Sequence, residues 1–297
     1  MNKNYKRYIS YLIATILLLC MVAFTNSDLT YNTQNIPAGE AGLYVHFVDV
    51  GQADCILIKF PDGESMLIDA GNNSDGDKVC KYIENLGVKK IDYLALTHPH
   101  ADHIGGMDDV LRKFDIGSIF MPRATANSAT YEDVLYQIKK KGMKITAAKE
   151  GVIICDGEVK AEILSPCRDY YEELNDYSAV IRLTYGNSSF LFTGDAEALV
   201  ESDLLKRYNL KTDVLKVGHH GSNTSSTADF IKAVNPQIAV ISVGIDNDYG
   251  HPSSKVIKRL EKNGATIYRT DKCGDIILYS DGRNVVYIGE NKNEVCN

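Results

Sequence analysis

The sequence lacks the cysteine patterns that organise small disulfide-rich folds. It has seven cysteines, which is an odd number, and no two of them form a Cys-x-x-Cys pair. This spacing gives no support to a disulfide framework. Cys55 lies in an apolar, strand-like run, where a cysteine packs as a small hydrophobic side chain.

The chain also lacks an excess of positive charge. Its 32 basic residues are outnumbered by 39 acidic ones, which gives a formal net charge of −7. Residues 1–27 contain three basic residues and no acidic one, so the rest of the chain is more acidic than the whole. An acidic body argues against a large, non-specific nucleic-acid surface. It leaves room for a small site at which metal ions supply the positive charge.

The N-terminus lacks acidic residues and has no clear small-x-small cleavage motif. Lys3, Lys6 and Arg7 precede an apolar run. This order is typical of a secretory signal or a membrane anchor, and a basic cluster is the wrong flank for a buried core helix. We therefore predict a signal peptide or membrane anchor at 1–27 and a polar linker at 28–42. The protein is expected to work outside the cytoplasm, either secreted or tethered to the membrane by this segment.

Histidine is absent from residue 104 to residue 218. Three of the seven histidines instead lie within residues 98–103, which read His-Pro-His-Ala-Asp-His. Residues 91–96 before them are mostly apolar and predict a buried strand, and Pro99 has no backbone N–H with which to continue a strand or helix. The cluster is therefore expected to be a loop at the end of that strand. Imidazole and carboxylate groups suit divalent zinc, manganese or iron.

Strand and helix patterns alternate along the rest of the chain. Hairpin-like strand pairs begin each half, and units of a strand followed by a helix come later. Helices are expected at 75–86, 107–114, 131–141, 196–208, 227–234 and 253–263, with Ser253 as the cap of the last. This order predicts two sheets covered by outer helices in one α/β domain, residues 43–297.

Polar residues recur at the points where apolar strands stop. Outside the 98–103 cluster they are Asp49, Asp69, Asp195, His219, His220 and His251. Each of them alone has a simpler explanation as a turn or cap residue. Ligands at the ends of several strands can, however, converge at one edge of a sandwich. Together with the cluster they predict a single metal site.

These segments resemble the motifs of the metallo-β-lactamase-fold hydrolases. Residues 98–103 match the second motif of that family (HxHxDH), residues 67–71 the first, and residues 192–195 the fourth. Three further segments are most similar to the hydrolase domain of ComEC-type DNA-uptake proteins within that family: 47–54, 216–222 and 249–253. The resemblance implies a four-layer αβ/βα sandwich over nearly the whole chain after the linker.

The resemblance also implies a set of metal ligands. His98 and His100 would hold one divalent ion, Asp102 and His103 would hold a second, and Asp195 would bridge the two. The ions, zinc or manganese, would lie about 3.5–4 Å apart and share a hydroxide that attacks the substrate. Asp102 is thereby assigned both to metal binding and to catalysis.

The histidine of the family's third motif has no counterpart in this chain. Either one metal has fewer ligands, or His219 and His220 serve one metal each. We favour the second interpretation, because the doubled histidine supplies the missing imidazole. If only one of the two is a ligand, the vacant position falls to Asn175, Asp176 or water.

Other residues have expected roles around this ligand set. Asp49 and Asp69 would orient ligand imidazoles through hydrogen bonds, or they are simple strand-end caps. Asn175 and Ser222 are expected to lie beside the ligands. His251 would donate a proton to the leaving group or bind the scissile phosphate, or it is only a capping residue before the next helix.

The expected function is metal-dependent hydrolysis of a phosphodiester in DNA, RNA or a nucleotide. A close rival keeps the chemistry and changes the substrate to phosphorylcholine esters on cell-surface polymers or another small phosphodiester. Lactam hydrolysis is disfavoured, because it relies on the missing third-motif histidine. A non-catalytic, tethered protein that binds metal or a partner is the alternative of another class, against which the intact ligand motifs argue.

Overall fold

The structure, a computed structural model, describes residues 41–289. The strands in this range are β1 (Leu43–Phe47), β2 (Ile56–Lys59), β3 (Ser65–Ile68), β4 (Lys90–Ala95), β5 (Asp115–Met121), β6 (Ile145–Ala147), β7 (Ile153–Asp156), β8 (Val159–Ser165), β9 (Val180–Tyr185), β10 (Ser188–Phe192), β11 (Val214–Lys216), β12 (Ile238–Ile241), β13 (Thr266–Arg269), β14 (Ile276–Ser280) and β15 (Val285–Tyr287). They form two sheets, with strand orders β15-β14-β1-β2-β3-β4-β5-β6 and β13-β12-β11-β10-β9-β8-β7. Both sheets are mixed: β3 to β6 run parallel in the first, and β10 to β13 run parallel in the second.

The helices connect these strands and cover the sheets. They are α1 (Gly76–Asn85), α2 (Ala101–Ile104), α3 (Met107–Lys113), α4 (Ala129–Lys140), α5 (Ala198–Arg207), α6 (Ala228–Val234), α7 (Ser254–Lys262) and α8 (Thr270–Cys273). Short 3₁₀ turns occur at Leu174–Tyr177 and Gly218–Gly221. The hydroxyl of Ser253 accepts the N–H of Lys255 and caps α7, as the sequence predicts.

The two sheets pack face to face around one apolar core. Phe47 of the first sheet and Phe192 of the second are buried, and their ring centroids lie 6.2 Å apart. A separate buried cluster joins the outer face of the second sheet to α5, α6 and α7 through side chains such as Leu204, Phe230 and Leu260. The prediction of two sheets flanked by helices in an α/β sandwich is therefore confirmed.

The histidine-rich segment, residues 98–103, differs in one respect from its predicted form. Residues 97–100 have no regular structure, but Ala101–Ile104 forms a helical turn in which Gly105 N–H donates to the carbonyl of Ala101. The prediction of a plain loop is wrong there, because a proline restricts the residues at and before it and leaves the following ones free to begin a helix.

The predicted N-terminal segment at 1–27 and nearly all of the predicted linker at 28–42 lie outside the described residues, so both stay predictions. Between residues 41 and 289, no helix combines the length and the apolar character needed to cross a membrane. Of the cysteines in this range, Cys273 is disulfide-bonded, and four others are free thiols: Cys55, Cys80, Cys155 and Cys167.

Candidate metal centre

The predicted site residues lie where strands of the two sheets end. The 98–103 segment follows β4, Asp195 follows β10, and His219 follows β11. Gly194 brings Asp195 close to the first sheet. It has φ +51, and a Cβ at this position would lie 3.0 Å from the Cβ of Thr97. A side chain there would therefore push the two strand ends apart.

One set of donors, which we call the His103 group, consists of Asp102, His103, Asp195 and His220. Their ligand atoms lie within 4.8 Å of one another. His103 Nε2 lies 3.3 Å from Asp195 Oδ1, and His220 Nε2 lies 3.3 Å from Asp102 Oδ2. All except Asp102 are buried, and the Asp102 side chain is 33% exposed. The four donors therefore converge on a point that is reached from the side of Asp102.

Hydrogen bonds behind the His103 group determine which ring nitrogen faces it. His103 Nδ1 lies 2.7 Å from Asp69 Oδ2, and His220 Nδ1 lies 3.0 Å from the carbonyl oxygen of Ser242. A ring nitrogen that donates to such an oxygen carries the proton, which leaves the Nε2 lone pair of each ring for a metal. Asp69 is thus placed for the orienting role expected from the sequence, and it also accepts the N–H and the hydroxyl of Thr97.

A buried ion pair lies behind the same group. The ammonium of Lys216, which is fully buried, pairs with the carboxylate of Asp54 and donates to the carbonyl oxygen of Gly194 at 3.3 Å. Asp54 Oδ1 lies 3.5 Å from His220 Nδ1, and Asp54 Oδ2 lies 3.8 Å from His103 Nδ1. The pair thus places one positive charge beneath a group that is rich in carboxylates.

The second set of donors, which we call the His98 group, consists of His98, His100 and His219 together with the shared Asp195. His98 Nε2 lies 3.0 Å from His100 Nδ1 and 4.0 Å from Asp195 Oδ2. His219 Nε2 lies 3.7 Å from the same carboxylate oxygen. Donors around a tetrahedral zinc, at bonds of about 2.0–2.1 Å, lie roughly 3.3 Å apart. The separation of His98 and His100 is close to this value, whereas Asp195 Oδ2 lies farther from His98 and from His219 than a shared ion requires.

The His98 group is supported mainly by hydroxyl groups. His98 Nδ1 lies 3.1 Å from Thr97 Oγ1 and 3.5 Å from Ser178 Oγ. His219 Nδ1 lies 3.2 Å from Glu197 Oε1, and Thr224 Oγ1 donates to that same oxygen at 2.9 Å. Glu197 therefore fixes the orientation of the His219 ring from the outer side.

Both histidines of the 219–220 pair turn towards Asp195. β11 ends at Lys216, and His219 and His220 adopt left-handed conformations with φ near +50. On a regular strand they would point to opposite faces. Here the Nε2 atoms of both rings lie 3.7 Å from Asp195 Oδ2. A left-handed conformation at a non-glycine residue costs on the order of 1–3 kcal/mol, which is typical of a functional site.

The His103 group fits a divalent cation, and the neighbouring His98 group offers further donors. His103 Nε2 and Asp195 Oδ1 are fully buried, and neither has a hydrogen-bond partner among the described residues. A buried polar atom left unpaired costs about 1–3 kcal/mol, so two such atoms that face each other at 3.3 Å require a positive charge between them, either a proton on His103 or a metal ion. A cation satisfies both. The imidazole and carboxylate donors suit zinc, manganese or iron.

Charges in the site shift pKa values in opposite directions. Burial, followed by the nearby His103, lowers the pKa of His98 well below its usual range. Burial alone would also lower the pKa of His103 and of His220, but the carboxylates of Asp195 and Asp102 outweigh it and raise both. Without a metal, the His103 group therefore holds protons that a cation must displace.

Two of the residues predicted to support the ligands make no hydrogen bond to a ligand side chain. Asp49 Oδ1 accepts the N–H of Gly51 at 3.1 Å, so its carboxylate closes the turn after β1, as the simpler cap explanation expects. The hydroxyl of Ser222 lies 3.0 Å from Thr224 Oγ1, and the Ser222 N–H donates to the carbonyl of His219. Ser222 thus stabilises the turn that carries His219.

The remaining predicted residues line a cleft above the donors. The cleft has a volume of about 300 Å³, and its lining includes Gln52, Asn175, Tyr249 and His251. The ring centroid of His251 lies 5.9 Å from that of His219. Burial, with His219 next, lowers the pKa of His251, so its imidazole is neutral at neutral pH and can donate only a neutral N–H. Among the roles expected for His251, this favours contact with the phosphate.

Sequence reasoning missed three charged residues of the site. Asp54 and Lys216 stand within the ComEC-like segments, but their pairing across 162 positions of sequence has no local signal. Glu197 follows Asp195 at the start of α5, where an acidic residue is usually a helix-terminus feature. The sequence signal that could have indicated a role for Lys216 is the presence of a charged residue in a short apolar strand, the Val-Leu-Lys of β11.

Comparison with known proteins identifies the family. Residues 48–245 match the model of the metallo-β-lactamase superfamily. The chain is 32% identical over 250 residues to ComE operon protein 3 of Bacillus subtilis (78% of this chain, 32% of that protein). It is 31% identical over 249 residues to competence protein ComA of Neisseria gonorrhoeae (83% and 33%). The chain therefore spans about a third of the length of these curated relatives.

Solved structures share the fold at low sequence identity. The metallo-β-lactamase-fold protein YhfI of Bacillus subtilis superimposes with a TM-score of 0.54 at 14% identity, covering 80% of this chain and 100% of that one. CmlA, a diiron β-hydroxylase from Streptomyces venezuelae, superimposes with a TM-score of 0.54 at 12% identity, covering 84% of this chain and 55% of that one. Such identities speak for the fold alone. The family match over residues 48–245 and the similarity to the two curated relatives show more: the chain belongs to the metallo-β-lactamase superfamily, in the metal-dependent hydrolase class.

Proposed function

We propose that this protein is a binuclear metal-dependent phosphodiesterase that acts outside the cytoplasm. The observation that carries the proposal is the position of Asp195 between two donor groups. Its Oδ1 lies 3.3 Å from His103 Nε2, and its Oδ2 lies 3.7 Å from the Nε2 atoms of both His219 and His220. A carboxylate so placed is suited to bridge two cations.

Two divalent ions in these groups would supply an activated water and Lewis-acid polarisation of a phosphoryl oxygen. The chain's own residues hold the donors rigid: Asp69 orients His103, and the carbonyl of Ser242 orients His220. The neutral His251 stands at the cleft, where its ring N–H can donate to a phosphate oxygen. No serine or cysteine nucleophile is required by this arrangement.

The choice of a nucleic-acid or nucleotide phosphodiester is supported by the relatives. Two of them are named as a competence protein and as a product of the ComE operon, and the similarity covers about four-fifths of this chain. Because the chain corresponds to only a third of those proteins, any role in DNA uptake is not part of the proposal.

A small phosphodiester, such as a phosphorylcholine ester, is the second candidate. Two observations favour it: the formal net charge of −7 disfavours a polyanion, and a cleft of about 300 Å³ is at the small end of ligand sites. The proposed location, secreted or tethered, depends on the basic and apolar pattern of residues 1–27.

The proposal is tested with the purified full-length chain, analysed for metal and assayed with added zinc or manganese. Single-stranded DNA, RNA, cyclic dinucleotides and p-nitrophenyl phosphorylcholine are the substrates, and the Asp195→Ala variant is the matched control. We expect metal-dependent hydrolysis of a nucleic-acid phosphodiester that chelator abolishes and the variant lacks. Two bound ions without hydrolysis of any phosphodiester would instead support the non-catalytic alternative.

A further inference from the structure

We propose that Tyr249 is a stacking platform for a nucleobase of the substrate, at the mouth of the cleft that holds the metal ligands. The inference rests on the proposed phosphodiesterase function and narrows its substrate to a nucleotide phosphodiester whose base is unpaired, in single-stranded nucleic acid or in a free nucleotide ester. It concerns the loop between β12 and α7, residues 242–253, of which the mechanism above uses only His251.

Tyr249 combines high exposure with a position beside the candidate metal ligands. The residue is 72% exposed, yet it lines the same cleft as Asp195 and His219. Its ring stacks on that of His251, with centroids 5.8 Å apart and an interplanar angle of 22°. The rings of His219, His251 and Tyr249 thus form a row that leads from a metal donor to the solvent. An aromatic face at the end of this row is available to a planar group of the substrate.

The loop that carries Tyr249 is held in place by its own side chains. Asn247 Nδ2 donates to the carbonyl oxygens of Gly244 and His251, and the N–H of His251 donates back to Asn247 Oδ1. The N–H of Gly244 in turn donates to Gln52 Oε1, which ties the loop to the turn after β1. Because the platform is organised before binding, little conformational entropy is lost when a ligand stacks on it.

Asn175 supplies a second feature that points to the same ligand. Its Oδ1 is buried and has no hydrogen-bond partner among the described residues, while its Nδ2 donates to Glu197. In the assignment above each donor group already holds four protein ligands, so this oxygen is not needed by the metals. A turn of the Asn175 side chain towards the cleft that it lines would present the oxygen to a donor of the substrate. Asn175 and Tyr249 line one cleft, which therefore suits a ligand that combines a flat aromatic face with N–H or O–H donors.

A nucleobase meets both requirements, and a choline group does not. Choline has no hydrogen-bond donor for Asn175, and quaternary ammonium groups are typically held by a cage of several aromatic faces rather than one. A base that stacks on Tyr249 must leave its own duplex stack. The substrate class is therefore single-stranded nucleic acid or a free nucleotide ester, with the scissile phosphate next to the stacked base.

The test compares a single-stranded oligodeoxynucleotide with the same oligomer that carries abasic tetrahydrofuran sugars. The metal-loaded full-length chain and its Tyr249→Ala, Tyr249→Phe and Tyr136→Ala variants are assayed with both. Tyr136 is an exposed tyrosine on α4 that does not line the cleft, so it is the matched control. We expect Tyr249→Ala to raise KM for the normal oligomer about 10-fold, within the range of base–aromatic stacking, and to leave the abasic oligomer nearly unaffected.

The control variants should behave like the wild type. Tyr249→Phe and Tyr136→Ala should retain the wild-type preference, and every variant should bind two ions. An equal effect of Tyr249→Ala on both oligomers, or no effect, overturns the inference, as does a Tyr249-dependent KM for p-nitrophenyl phosphorylcholine alone. If the wild type hydrolyses no phosphodiester, the proposed function fails. Fluorescence anisotropy with the two oligomers then decides the stacking inference separately, with the same base-dependent loss of affinity expected in Tyr249→Ala.

Discussion

The two donor groups share Asp195 but differ in charge and in support. The His103 group adds the carboxylate of Asp102 and two imidazoles to Asp195, and the carboxylate of Asp69 and the Asp54–Lys216 ion pair lie behind it. The His98 group adds three imidazoles to Asp195, and its buried side is supported by the hydroxyls of Thr97 and Ser178. Glu197 approaches it only from the rim, through His219.

The difference indicates an order of metal binding. A divalent cation is attracted more strongly where carboxylates are closer and water is excluded. The His103 group is therefore expected to bind the first ion with the higher affinity, and the His98 group to bind the second ion with the lower affinity.

Removal of the shared ligand should affect both groups. In Asp195→Ala the bridging carboxylate is lost, so we expect fewer than two ions per chain and an activity loss of about 1000-fold or more. Metal analysis and steady-state kinetics measure the two effects. Asp133→Ala, an exposed change on α4, is the control. Two bound ions and full activity in Asp195→Ala would show that the two groups do not share this residue.

Breaking the buried ion pair should affect the stability of the His103 side. Lys216→Met leaves Asp54 as a buried, uncompensated charge, which should lower the free energy of unfolding by about 3–5 kcal/mol. Urea unfolding of the metal-free protein measures the loss. The double variant Lys216→Met/Asp54→Asn should recover most of it. A single variant within about 1 kcal/mol of wild type would mean that solvent reaches the pair.

Removal of one histidine of the pair should empty one group and spare the other. His220→Ala should eliminate the ion of the His103 group, and His219→Ala that of the His98 group. Each variant should then hold one ion and lose most of its activity. If either variant keeps both ions and near-normal turnover, only one histidine is a ligand, and Asn175, Asp176 or water takes the other position.

A milder change at Glu197, on the outer side of the His98 group, should lower the binding affinity of the second ion only. Glu197→Gln replaces a charged acceptor of His219 with a neutral one, and such changes behind a ligand typically cost about 10- to 100-fold in metal affinity. Titration with a competing chelator resolves the two affinities. Equal weakening of both ions would contradict the separate support of the two groups.

A fall in pH should lower the binding affinity of the first ion more than that of the second. The raised pKa values of His103 and His220 mean that these rings hold protons in the metal-free protein, whereas the lowered pKa of His98 leaves that ring neutral. Protons therefore compete at the His103 group as pH falls, by about tenfold in affinity per pH unit for each displaced proton. Competition titrations at pH 8 and pH 6 measure this. A steeper pH dependence for the weaker ion would reverse the assignment.

The sequence predicted the elements of the fold well, because apolar periodicity and turn residues are local signals. It also predicted that strand-end residues meet, since parallel strands place their carboxyl ends at one edge. The Asp54–Lys216 pair was not predictable in this way, because the burial of a lysine depends on which distant strands become neighbours. The left-handed turn at His219 and His220 was suggested only by its flanking glycines.

The central claim is that Asp195 joins two ions, each held by one histidine of the 219–220 pair. An anomalous-scattering map of crystals grown with manganese or zinc, recorded at the metal edge, tests it directly. Two peaks should flank Asp195, one coordinated by Asp102, His103 and His220 and the other by His98, His100 and His219. A single peak, or an imidazole of the pair that lies far from both ions, would contradict the account.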